Sequence, residues 1–143
     1  MKKIIYQMLV GCYIVVALVL VCACNSQLDI QTRYPFTVET MPVPKKLKVN
    51  ETAEIRCELK RDGRWEDTRY TICWFLYDGK GTLKTEDGTV LLPNDRYPLE
   101  KETFRLYFTS QSDDQSSLKV WVEDSFGQTV ELELSFNNDN SEK

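Results

Sequence analysis

Chemistry in this chain would have to come from carboxylates and thiols, since its 143 residues include no histidine. Without imidazole there is no Ser-His-Asp triad, no Cys-His pair and no His-ligated zinc. The acids occur as neighbours: Glu86–Asp87, Asp113–Asp114 and Glu123–Asp124. A glycosidase needs two carboxyls facing each other across a cleft. Adjacent residues of a strand point to opposite faces, so these pairs read as solvated loops and strand edges. "SDDQSS" and "PNDRY" offer the oxygens calcium takes, but neither follows a calcium-loop motif. The Gly-x-Gly of "YDGKG" lacks P-loop spacing and precedes no helix, so it reads as a turn. No catalytic residue, metal, cofactor or small-molecule substrate is expected.

The thiols speak of location. "MKKIIYQMLVGCYIVVALVLVCAC" has Lys2 and Lys3 as a positive start, an uncharged apolar run from Met8 to Ala23, and a small residue before Cys24. This is the layout of a secretory signal. Val21 and Ala23 stand three and one positions before Cys24, a pattern that resembles the bacterial lipobox, although Leu is more usual than Val at the first of them. Cys24 is therefore the expected lipidated first residue of the mature chain. Residues 1–23 would be its signal peptide and 24–28 a tether. The alternative is an uncleaved anchor over Ile4 to Ala23, just long enough to span a bilayer.

Those cysteines must be presented by something, and the chain after them keeps returning to period two. "IQTRYPFTV" puts Ile30, Tyr34, Phe36 and Val38 on one face, with Pro35 marking an edge or interrupted strand. "MPVPKK" reads as an extended connector. In "TAEIRCELKR", Ala53, Ile55, Cys57 and Leu59 alternate with charged residues, the pattern of a half-buried strand. "RYTICWFLYDGKG" is apolar on both faces, Ile72, Trp74 and Leu76 against Cys73, Phe75 and Tyr77, with Trp74 taken as inward. "GTVLLPNDRYP" reads as a short strand ending in a turn. "TFRLYFTS" places Phe104, Leu106 and Phe108 on one face. "LKVWVEDSFGQTVELELSF" reads as a hairpin turning at Asp124 to Gly127, with Leu118, Val120 and Val122 inward on one arm and Val130, Leu132, Leu134 and Phe136 on the other.

About seven short strands with frequent turns predict an all-β fold, an immunoglobulin-like antiparallel β-sandwich over residues 29–137, with 138–143 as a disordered tail. Cys57 falls on the second strand and Cys73 beside the third-strand Trp74. The strand that would carry the partner of an antibody-type bridge, "LKVWVED", has no cysteine. A Cys57–Cys73 bond requires both side chains on one side, so inward Trp74 favours two free thiols. The formal charge of -4 argues against a nucleic-acid surface. Trp65, Tyr70, Arg96 and Tyr97 gather in loops and are candidate protein contacts, of types that anchor interfaces and also cover sandwich cores.

The strings "DGKGTL" (Asp78 to Leu83), "LLPNDRYPL" (Leu91 to Leu99) and "FRLYFTS" (Phe104 to Ser110) give the mature chain its resemblance to the TraQ family of Bacteroides conjugative transposons. The resemblance implies a cell-to-cell DNA transfer setting and an immunoglobulin-like sandwich in the envelope, with no assigned activity and no catalytic residues to carry over. The expectation is a non-enzymatic lipoprotein, held by lipid at the outer rather than the inner membrane, that serves the transfer apparatus by touching other envelope proteins. The alternative is a surface module binding a glycan or a host protein.

Overall fold

A computed structural model describes residues 1–22 and 31–139 of the chain. Cys24, the tether and Ile30 lie outside the described residues. The chain divides into two compact units, Met1–Gln31 and Thr32–Lys143. The first carries α1, Lys2–Cys22, which takes in the charged start and most of the apolar run of the expected signal. Among the described residues, no helix is long and apolar enough to cross a membrane.

The second unit is a two-sheet sandwich. Seven strands are five residues or longer: β1 (Phe36–Thr40), β3 (Thr52–Arg61), β4 (Tyr70–Asp78), β5 (Gly81–Thr85), β8 (Thr103–Ser110), β9 (Ser116–Asp124) and β10 (Thr129–Asn138). Three are shorter: β2 (Lys46–Leu47), β6 (Val90–Leu91) and β7 (Tyr97–Leu99). The sheets run β1-β3-β8-β5-β6 and β2-β10-β9-β4-β7. The seven longer strands thus have the immunoglobulin order, four on one sheet and three on the other. Pairing is antiparallel except between β2 and β10, which are parallel.

The alternation seen in sequence is the alternation of the fold. Ala53, Ile55, Cys57 and Leu59 of β3 face Phe104, Leu106 and Phe108 of β8 along the inner side of the first sheet. Ile72 and Trp74 of β4 lie beside Val122 and Val120 of β9 on the inner side of the second. Trp74 is inward, and its indole N–H donates to the Leu91 carbonyl at 3.0 Å, joining the second sheet to β6 of the first.

Several expectations are corrected. Strand β1 begins only at Phe36, so Tyr34 is outside it; Pro35 has no N–H to donate, although its carbonyl accepts from the Asp62 N–H at 3.1 Å, and the Tyr34 ring lies against Gly63, where a Cβ would collide with it. "GTLKT" is a strand although Leu83 is its one large apolar residue, because β8 supplies the pairing partner. Gly81 opens it beneath the Phe108 ring, which leaves no space for a side chain. Val130 and Leu132 are half-buried rather than core, since β2 pairs only with Asn137 and Asn138 and leaves the rest of the β10 edge uncovered. Strand β10 also continues through Asn138, into the segment read as tail.

Asp124 was expected to be solvated and is 5% exposed. Its carboxylate caps the β9–β10 turn, accepting from the backbone N–H of Phe126 at 2.9 Å and of Gln128 at 2.8 Å. A short acidic side chain that satisfies its own turn's amides can be buried at little cost. Gly127, with φ of 82°, completes that turn.

Candidate functional site

The two sheets differ on their outer sides. The first is a polar ladder: Lys60 bonds Glu39 at 2.6 Å, and Glu54 meets Arg56 at 3.0 Å and Arg105 at 3.1 Å. The Thr52 and Thr109 hydroxyls share a hydrogen bond of 2.7 Å across β3 and β8. Most charges of this face are paired within it, beside the Tyr107 ring of β8.

The outer side of the second sheet carries aromatic rings. Cys73 and Phe75 of β4 point outward because Ile72, Trp74 and Leu76 take the inner positions. The register then shifts between Leu76 and Asp78, a bulge that leaves Tyr77 between them. The Tyr77 and Phe75 rings meet edge to face at 5.1 Å, and Tyr77 is 57% exposed. Across the sheet, Trp121 of β9 stands beside Cys73 and Glu131, and Lys119 beside Phe75 and Glu133.

Electrostatics hold these side chains in place. The Lys119 ammonium bridges Glu133 at 3.0 Å and Glu131 at 3.1 Å, and lies 5.7 Å from the centre of the Tyr77 ring. The two carboxylates, Glu133 first, hold that ammonium well above the usual lysine range. Lys119 in turn, with the Trp121 indole N–H at 3.0 Å, keeps the Glu131 carboxyl below its usual range. At the other end of the face, Arg96 bonds Glu123 at 3.2 Å. Two shallow hollows result: about 450 Å³ around Cys73, Arg96 and Trp121, and about 580 Å³ around Tyr77, Lys119 and Glu133. The face offers rings fixed by ion pairs, which is the composition of an interface anchor. Among the described residues, no three His, Cys, Asp or Glu side chains gather as a metal site.

The four loop candidates are spread out. Trp65 and Tyr70 line a hollow beside the β3–β4 loop with Arg61 and Glu102, which form an ion pair. The Tyr70 ring packs edge-on against Phe36 at 5.1 Å. Tyr97 sits on β7 opposite Ile72, and its hydroxyl accepts from the Leu92 N–H at 2.9 Å. Arg96 alone of the four borders the outer aromatic face. Phe75, Tyr77, Lys119 and Trp121 were not singled out as contacts; the signal that points to them is a strand apolar on both sides, read with Trp121 in the neighbouring strand. The thiols of Cys57 and Cys73 are free. Cys57 lies in the core, where burial pushes its thiol up to about 12, while Cys73 is half-exposed on the opposite side of the other sheet.

A family model described as TraQ conjugal transfer protein matches residues 7–139. A crystal structure of a conjugative transposon lipoprotein from Bacteroides eggerthii is 53% identical over 74% of this chain and 100% of that chain, with a TM-score of 0.70. A solution structure of a lipoprotein from Bacteroides thetaiotaomicron is 66% identical over 82% of this chain and 90% of that one, with a TM-score of 0.69. A conjugate transposon protein from Bacteroides vulgatus is 49% identical over 82% and 96%, with a TM-score of 0.67. No curated protein matches the sequence.

Proposed function

The chain belongs to the TraQ conjugal transfer family, and from that membership we propose that it is a lipid-anchored accessory of a conjugative transfer apparatus, working by contact with other envelope proteins. One observation carries the contact mechanism: the cluster of Phe75, Tyr77 and Trp121 on the outer side of the second sheet, where the first sheet sets the Tyr107 ring among ion pairs. Tyr77 is exposed and Phe75 and Trp121 are half-buried beside it, and a partner covering them would complete that burial.

The anchor is Cys24, supported by its lipobox-like setting and by relatives described as lipoproteins. Residues 1–23 are the signal, and the sandwich follows after a short tether. Acyl chains contribute about 0.8 kcal/mol per buried CH₂, so several of them hold a small domain at a membrane. The outer membrane is the favoured site. In this reading Arg96 belongs to the contact face, Trp65 and Tyr70 form a second contact region beside the β3–β4 loop, and Tyr97 is a separate contact on β7. DNA is not a ligand, because the chain is acidic at -4 and Arg56, Lys60, Arg96, Arg105 and Lys119 on the outer faces are paired with acids.

The test is mating by donor cells that carry Phe75→Ala with Trp121→Ala, beside donors lacking the gene. Truncating two interface aromatics costs about 2–4 kcal/mol, or roughly 30- to 1,000-fold in affinity. Transfer should fall toward the deletion level while thermal unfolding of the purified variant stays near wild type. A folded double variant that mates at the wild-type frequency would reject the outer face as the contact.

A further inference from the structure

The two sheets end in β1 and β6, and in β2 and β7. Three of these edges are guarded. Strand β1 is bracketed by Pro35 and Pro42, β6 is two residues long, and β7 has Pro98 at its centre. Proline and shortness are common means of keeping a sheet edge from pairing with another chain. The fourth edge is shared. Strand β2 covers β10 only at Asn137 and Asn138, and Pro42 and Pro44 just upstream have no N–H for a longer ladder. From Thr129 to Phe136, β10 has β9 on one side and, among the described residues, no strand on the other. This stretch holds no proline, glycine or lysine, and its register against β9 is unbroken.

The register fixes which backbone groups the bare edge presents. The Asp124 N–H donates to the Gln128 carbonyl at 2.9 Å, so even-numbered residues of β10 bond to β9 and odd-numbered ones point away. Asn137 and Asp139 keep that phase, donating to the Lys45 carbonyl at 2.8 Å and the Leu47 carbonyl at 3.2 Å. Thr129, Glu131, Glu133 and Ser135 therefore aim their N–H and C=O groups at the edge. On the inner side, Val130 and Leu132 pack against the core yet stay half-buried. On the outer side, Glu131 and Glu133 share the single ammonium of Lys119, at 3.1 and 3.0 Å, with side chains 52% and 77% exposed. Two carboxylates on one ammonium leave this row a net negative charge.

We propose that this edge receives a β-strand from a partner protein, laid antiparallel to β10, with lysine or arginine at its outer positions and β-branched apolar residues at its inner ones. Main-chain bonds to Thr129, Glu131, Glu133 and Ser135 hold the strand, and its alternate side chains give selectivity. The apolar row completes the cover over Val130 and Leu132, and the basic row answers Glu131 and Glu133. A second copy of this chain does not fit. Edge-facing residues pair with edge-facing residues, so an antiparallel β10–β10 register that uses the length of the edge sets glutamates of the two copies opposite or diagonal to one another, which is destabilising. The edge is backbone, so the proposal does not rest on Phe75, Tyr77 or Trp121, and its test leaves them untouched.

The probe is acetyl-Thr-Lys-Val-Lys-Val-Lys-Thr-amide, titrated against the isotope-labelled full chain in a non-ionic detergent and followed by amide hydrogen exchange, residue by residue. Binding is expected in the millimolar range. With peptide at about ten times its Kd, the Thr129, Glu131, Glu133 and Ser135 amides should exchange about tenfold more slowly, while those of Val130, Leu132 and Leu134, already bonded to β9, change little. A side-chain contact does not produce that alternation. Replacing the three lysines by glutamate should weaken binding about tenfold, and N-methylating the lysine amides should abolish it. Glu133→Lys should reverse the preference between the lysine and glutamate peptides and, at so exposed a position, keep the wild-type thermal transition. No alternating protection up to about 10 mM peptide, equal binding of the lysine and glutamate peptides, or undiminished binding of the methylated peptide would each overturn the proposal. So would protection of the four amides in the chain alone: rising with protein concentration, it would assign the edge to a second copy, and independent of concentration, to a segment of the chain itself.

Discussion

Replacing Trp74 by Phe tests whether the two sheets are tied where the structure ties them. Trp74 is 1% exposed and donates its indole N–H to the Leu91 carbonyl at 3.0 Å. That bond crosses from the second sheet to β6, which otherwise pairs with β5 at just Leu83↔Leu91 and Lys84↔Val90. Phe keeps most of the ring but cannot donate. Leaving the buried carbonyl without this donor costs about 1–3 kcal/mol, and the vacated volume about 1 kcal/mol more. The expected loss is therefore about 2–4 kcal/mol out of a total of roughly 5–15. For a domain of this size that lowers Tm by about 8–16 °C. The assay is urea and thermal unfolding followed by circular dichroism, with Trp121→Phe as the comparison. Trp121 also donates, to Glu131 at 3.0 Å, but on the half-exposed outer face where water can replace the bond. Its loss should stay within about 1 kcal/mol. Equal destabilisation by the two substitutions would refute the idea that the Trp74 bond is the buried inter-sheet tie.

Ile55→Asp should abolish folding, because the side chain is 0% exposed and an unpaired carboxylate there costs several kcal/mol; Leu132→Asp, on the half-covered β10 edge, should remain folded with a reduced Tm, and its complete unfolding would mean that this edge is covered. Native-state thiol labelling mapped by mass spectrometry should modify Cys73 well before Cys57, since burial pushes the Cys57 thiol up to about 12 and shields it from reagent; equal rates would contradict the outward turn of Cys73. Neutralising Lys119 with Lys119→Met should remove the acid-side stability contributed by Glu131. That carboxyl is depressed in the folded state, so its contribution is present above the ordinary carboxylate range and is lost as pH falls through the lower folded value. The wild type and Lys119→Met should therefore converge in Tm at low pH, and a constant difference down to acid would rule out the linkage.

Much of this protein is legible residue by residue. The strict alternation of Ala53, Ile55, Cys57 and Leu59, and of Phe104, Leu106 and Phe108, places strands with correct bounds and correct faces. Period two is a local property: which side of a strand is buried depends on residues two apart, and no distant partner is needed to state it. The absence of histidine and the lipobox-like approach to Cys24 are likewise read directly from residue types.

Tertiary structure decided whatever depends on a neighbour distant in sequence. "GTLKT" became a strand because β8 offered it a ladder, and Gly81 was required there by the Phe108 ring above it. Asp124 went inside because the folded turn brought the Phe126 and Gln128 amides onto one carboxylate. Val130 and Leu132, identical in pattern to Leu134, stayed half-exposed because β2 covers only the far end of β10. The surfaces followed the same rule. Trp65, Tyr70, Arg96 and Tyr97 are polar-tipped residues that look alike in sequence, but the fold divides them: Trp65 and Tyr70 line one hollow, Tyr97 pairs with Ile72 from β7, and Arg96 borders the outer aromatic face. Phe75 and Trp121, 46 residues apart in sequence, became one face through the Cys73↔Trp121 and Phe75↔Lys119 pairing. Alternation tells which residues leave the core; strand pairing alone determines which of them meet once outside.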